Sequence, residues 1–125
     1  MAKKNLGLVF FPAFDWMISP GHPERQERLL YTRDQLEEEG LLDLPEIQEY
    51  RPRLATIQEV QRANVGVPAI EKILTPAHLT SAGGCLVAAD AVARGEVKKA
   101  FALVRPPGHH AMRIVHGIRG FCTIN

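Results

Sequence analysis

The sequence predicts an α/β fold, a parallel sheet with helices on its faces, and three observations carry that reading. Two short apolar runs, residues 6–11 (LGLVFF) and 100–104 (AFALV), have strand length and the composition of strands buried on both faces. The segments between them have helical periodicity with capping residues at their ends. Strands that alternate with helices imply right-handed βαβ units and hence a layered domain.

Each element has its own justification in order. The run at 6–11 is bounded by Asn5 and Pro12, and a polar, turn-rich loop follows to His22. Pro23 suits the first position of a helix with acids in its first turn, Leu29, Leu30 and Leu36 lie on one stripe with Arg33, and Gly40 closes it. Residues 47–50 form a second strand, stopped by Pro52. Thr56 and Glu59 have the capping-box spacing, which predicts a short helix to about Ala63. Residues 67–74 read as a further helical turn or two with Pro68 near the start, broken by Thr75-Pro76. Ser81 then serves as N-cap of a helix rich in small residues that ends at Gly95 and can lie close against a sheet. Three strands make a narrow sheet, so residues 1–125 are expected to be the front part of a larger domain.

Composition narrows the function classes. The length of 125 residues fits one domain, and 46% apolar with 23% charged residues argues against a disordered or fibrous chain. A formal net charge of +1 supplies no field for nucleic acid or an acidic membrane. The two cysteines, Cys85 and Cys122, form no CxxC pair, which points to a reducing compartment. The N-terminal apolar run ends at Pro12 without a cleavage-site pattern, so a cytoplasmic location is expected.

The segment Arg105-Pro106-Pro107-Gly108-His109-His110-Ala111 directly follows the last apolar run. Ligands of open α/β sheets bind at the carboxyl ends of strands, where this loop begins. Two prolines and a glycine define its backbone, and two adjacent imidazoles on a loop can serve one site as proton donor and acceptor near neutral pH. Cys122 could serve as a nucleophile beside histidines, but no Asn or Asp partner is in place to orient one. A nucleotide site would need a glycine-rich turn after the first strand, and residues 9–14 (VFFPAF) offer none.

This segment resembles the RPPGHHA signature of the zinc-dependent histone deacetylase family, which includes acetoin-utilisation proteins and acetylpolyamine amidohydrolases. Residues 120–125 (GFCTIN) resemble its GFCxxN segment, and residues 22–29 (HPERQERL) are similar to its HPERxxRL motif. The resemblance implies a three-layer αβα, arginase/deacetylase-like fold, here only its first strands and helices. It implies hydrolysis of acetyl-lysine or another acetylated amine by a metal-bound water, with His109 and His110 acting on that water and on the leaving amine. Gly108, Gly120 and Phe121 would line the substrate channel, and Cys122 would lie near the site.

The family's zinc ligands, an Asp-x-His pair and a further Asp, come after the GFC segment. The aspartates here are Asp15, Asp34, Asp43 and Asp90, so no metal ligand is assigned, no zinc is expected for this chain alone, and the isolated chain is expected to be inactive because those ligands are missing. Asn64 stands where many members carry a histidine, and no aspartate lies between Asp43 and Asp90, where members often have an acidic loop; histone is accordingly a poor substrate expectation. His22, His78 and His116 receive no role. The alternative function is a non-catalytic interaction module that keeps the front of the fold. In the family's strand order the run at 100–104 is an unpaired edge in this chain, so self-association is expected, and a clean monomer by light scattering at micromolar concentration would contradict it.

Overall fold

The computed structural model describes residues 4–64, 74–111 and 122–125. Its elements in order are β1 (Lys4–Phe11), α1 (Gln26–Glu38), a 3-10 turn (Leu41–Asp43), β2 (Ile47–Tyr50), α2 (Ile57–Ala63), α3 (Pro76–Ala93) and β3 (Val97–Val104). The strands form one parallel sheet in the order β2-β1-β3, with Leu6 opposite Ile47 and Leu8 opposite Phe101. The continuously apolar β1 is therefore the middle strand, buried at Gly7, Leu8 and Val9. Beyond β3 no further strand pairs among the described residues, and Phe101 stays 57% exposed there.

Neighbouring residues of a strand point to opposite faces, which fixes the layers. The position a Cβ of Gly84 would take on α3 lies 3.3 Å from Val9 and 3.0 Å from Val104, whereas Arg33 of α1 stacks over the ring of Phe10 at 5.5 Å. The two helices thus cover opposite faces of the sheet. Helix α3 lies close on the sheet at Gly84 and on residues 53–55 at Gly83, where neither position carries a side chain. A core of Ala55, Val60 and Ile124, flanked by Leu79 and Leu86, draws the terminal residues under α2 and α3. No helix among the described residues is long and apolar enough to cross a membrane.

The helix ends follow local chemistry. Gly40 (φ 73°) and Gly95 (φ 75°) take the left-handed conformation just past α1 and α3. Thr56 Oγ1 accepts from the Glu59 amide at 3.1 Å, and Glu59 Oε1 accepts from the Thr56 amide at 2.9 Å, the reciprocal box expected from the spacing. Arg53 also forks onto Glu59 with two bonds of 2.8 Å, which together with the Thr56 amide holds that carboxyl down to about 2.

Four element starts differ from the sequence-based expectation, the first being β1, which begins at Lys4 rather than Leu6. Helix α1 starts at Gln26 rather than Pro23, with extended Arg25 as its N-cap. The Glu24 amide donates to His22 Nδ1 at 3.0 Å and the Glu24 carboxylate is drawn to Arg28 and Arg105, so this residue is committed elsewhere. Strand β3 begins three residues earlier than its apolar run. Helix α3 starts at Pro76, capped by Thr75 and not by Ser81. Thr75-Pro76 opens a helix rather than breaking one, because proline fits the first helical position, where no amide donor is needed. Of the helical expectation at 67–74, residues 67–73 lie outside the described residues, and Leu74 is not helical.

The α3 cap uses a histidine. His78 Nδ1 accepts from the Thr75 amide at 3.2 Å, taking the part that Glu or Gln usually plays, while its Nε2 has no hydrogen-bond partner among the described residues. The ring is buried edge-on against Trp16, 5.8 Å between centroids, and burial pushes its pKa below the ordinary value. The unfolded chain then binds a proton more readily than the folded one. The stabilisation is complete above the unfolded value of about 6.5 and is lost as pH falls through the lower folded value. Urea midpoints should therefore drop between pH 7.5 and 5.5, and His78→Gln, which can still cap but cannot titrate, should reduce that drop. Equal pH dependence in the two proteins would refute the assignment.

Candidate active site

The loop after β3 is held from three sides. At its start, Arg105 is 1% exposed, an uncommon state for an arginine. Its Nη1 donates to the carbonyl oxygens of Pro12 (2.7 Å) and Ala13 (2.8 Å), and its Nε and Nη2 donate to Glu24 Oε1 (3.0 Å) and Oε2 (2.9 Å). The guanidinium also lies 5.1 Å from the ring centroid of Trp16. One residue on, Ser81 Oγ on α3 donates to the Pro106 carbonyl at 2.8 Å, the task this side chain performs instead of capping.

The far side of the loop rests on the chain terminus. A Cβ at Gly108 would sit 2.3 Å from the Ile124 carbonyl oxygen, so the two backbones are in direct contact. Ala111 donates its amide to the Gly108 carbonyl at 3.1 Å and accepts at its own carbonyl from Asn125 Nδ2 at 2.9 Å. The Asn125 amide in turn donates to Oδ1 of buried Asn64 at 2.9 Å, whose Nδ2 donates to the Val60 carbonyl. Asn64 thus pins the terminus that supports the loop.

Between these supports His109 and His110 are both exposed, their rings 4.1 Å apart between centroids and tilted by 54°. The loop therefore brings both imidazoles to one place, where alternation along a strand would have parted them. Both line an open groove of about 1260 Å³ that runs along β3 past α3 and also reaches Gly108, Cys122 and His78. Cys122 is a buried free thiol. Gly120, Phe121 and His116 lie outside the described residues.

Among the described residues no group of three or more His, Cys, Asp or Glu side chains is placed to hold a metal ion. The described residues alone do not make up a zinc donor set, and no step through a metal follows from this geometry. Sequence reasoning missed Arg105, Glu24, Ser81 and Asn64 as supports of the loop. Each acts through partners far along the chain, and only the arginine directly after an apolar run and before two prolines offered a local signal.

Comparison with known proteins places this geometry in a family. The histone deacetylase domain family matches residues 64–125. A probable deacetylase of Archaeoglobus fulgidus is 35% identical over 130 residues, covering 86% of this chain and 34% of that protein. The polyamine deacetylase HDAC10 of Rattus norvegicus is 32% identical over 117 residues, covering 90% of this chain and 20% of its own length. The crystal structure of the HDA15 HD domain superposes with a TM-score of 0.81 at 26% identity, over 99% of this chain and 41% of that one. The chain thus spans about a third of the archaeal relative's length, and its sheet and flanking helices are part of an arginase/deacetylase-like fold. With motifs, strand order and overall geometry in agreement, the chain belongs to the histone deacetylase superfamily and carries the N-terminal portion of that fold.

Proposed function

We propose that these residues form the proton-transfer half of a deacetylase-like amidohydrolase acting on an acetylated amine, acetyl-lysine or an acetylated polyamine. The observation that carries this reading is the pair of exposed imidazoles 4.1 Å apart at the carboxyl end of β3, lining one groove. Hydrolysis of an amide needs a base to take a proton from the attacking water as its oxygen bonds to the carbonyl carbon. It also needs an acid to protonate nitrogen as the carbon–nitrogen bond breaks. A neutral imidazole serves the first need and an imidazolium the second. His109 and His110 are assigned these two tasks as a pair. Zinc belongs to the proposal only for the complete domain, with donors outside the described residues.

The test has two arms. Calorimetry and an acetyl-lysine assay on the 125-residue chain should find neither stoichiometric zinc nor turnover. A chimera in which this chain replaces the matching portion of the Archaeoglobus fulgidus protein should bind zinc and hydrolyse acetyl-lysine. His109→Ala or His110→Ala in that chimera should lower kcat by about 10²- to 10⁴-fold. A zinc-loaded chimera that turns over equally well without either histidine would overturn the reading and favour the interaction module.

A further inference from the structure

The guanidinium of Arg105 sits where four separate parts of the chain meet. Its backbone follows β3 directly, its own amide donates to the Phe11 carbonyl at 3.2 Å, and its side chain reaches the exit of β1, Glu24 just ahead of the α1 N-cap, and the face of Trp16. Ala13, one of its acceptors, is 1% exposed and holds φ 54°, a left-handed conformation that residues with a Cβ seldom adopt. Such a conformation persists where the surroundings over-determine it, and the Arg105 bond to the Ala13 carbonyl is one of those determinants.

A buried ion pair is a poor device for stability alone, because an apolar pair of similar volume often serves as well or better. Its fixed planar fork is a good device for geometry. Between Arg105 and His109 stand two prolines and a glycine pressed against the terminus, which leaves few free torsions to absorb a movement of Arg105.

We propose that Arg105, held by Glu24 and the Pro12 and Ala13 carbonyls, is a positioning residue that sets the orientation of the His109 and His110 rings. The proposal rests on the reading of those histidines as an acid–base pair, but its test does not depend on turnover. Three proteins are compared with the parent 125-residue chain: Arg105→Lys, Glu24→Gln, and the double variant Glu24→Leu with Arg105→Met, which replaces the charges by an apolar pair.

The readout is the NMR signals of the two imidazoles, assigned through His109→Gln and His110→Gln, with Tyr50 on β2 as a distant control. Positioning predicts that the imidazole signals move by more than their linewidth in all three proteins while those of Tyr50 stay in place. The double variant should do so even where its melting temperature matches the parent. Unmoved imidazole signals in a folded double variant, or in Arg105→Lys if the double variant fails to fold, would reduce Arg105 to a packing role and overturn the proposal. Displaced signals uphold it even if the chimera's turnover proves indifferent to the histidines, in which case the functional reading alone falls.

Discussion

Gly83→Ala is expected to lower the melting temperature by about 10 °C, from a loss of about 3 kcal/mol. On an isolated helix the same change would be favourable by roughly 1 kcal/mol, since glycine is a poor helix former. Packing reverses the sign. A Cβ at position 83 would lie 1.7 Å from the Arg53 carbonyl oxygen, 2.7 Å from its carbon and 2.9 Å from the Ala55 nitrogen. These are backbone atoms with no rotamer to yield, so α3 must lift off the segment that leads into α2. That segment donates its Ala55 amide to the Leu79 carbonyl at 2.8 Å and contributes Ala55 to the core. The loss is a large part of the roughly 5–15 kcal/mol that a domain has in all. Gly84→Ala is the control, because its nearest neighbours are valine methyls at 3.0 Å and 3.3 Å rather than backbone atoms at 1.7 Å, and it should cost less. A rise in melting temperature for Gly83→Ala would mean that propensity outweighs contact and that α3 does not lie on residues 53–55.

What could be read from the sequence was whatever neighbours along the chain decide. The middle strand was legible because residues 6–11 are apolar without alternation, and the α2 cap because Thr56 and Glu59 satisfy each other across three positions. The glycine ends of α1 and α3 were legible because a left-handed residue after a helix selects glycine. The start of α3 is obscured for a local reason too: His78 occupies the capping position where Glu or Gln is usual, and Pro76 suits a helix start as well as a stop. The start of α1 was not legible, because Glu24 is claimed by Arg105, 81 residues away.

The same division holds at the site. The histidine pair stands out in the sequence because two imidazoles in a proline- and glycine-defined loop are chemically conspicuous. The supports do not, since a serine, an asparagine and an arginine are ordinary surface residues until the fold buries Ser81, Asn64 and Arg105. Gly108 shows the difference well. It lies along the groove beside the histidines. Its contact with Ile124 appears only when the terminus is folded beneath the loop.

That contact makes Gly108→Ala the second large effect, and the one aimed at function. The added Cβ would stand 2.3 Å from the Ile124 carbonyl oxygen, so either the terminus or the loop must move. The terminus is the better anchored of the two. Ile124 is 5% exposed within the core beside Ala55 and Val60, and the Asn125 amide is bonded to buried Asn64. The loop therefore gives way, carrying His109 and His110 with it and stretching the Asn125 bond to the Ala111 carbonyl. Overpacking of this kind costs about 1–3 kcal/mol. In the chimera kcat should fall by about 10²-fold, the scale expected when reacting groups are misplaced by about an ångström. Cys122 reports on the outcome independently, since it is 1% exposed and should become reactive to a thiol reagent in a Cys85→Ser background. Normal turnover with a protected Cys122 would show that the loop tolerates the methyl group and that the contact with the terminus does not set the position of the histidines.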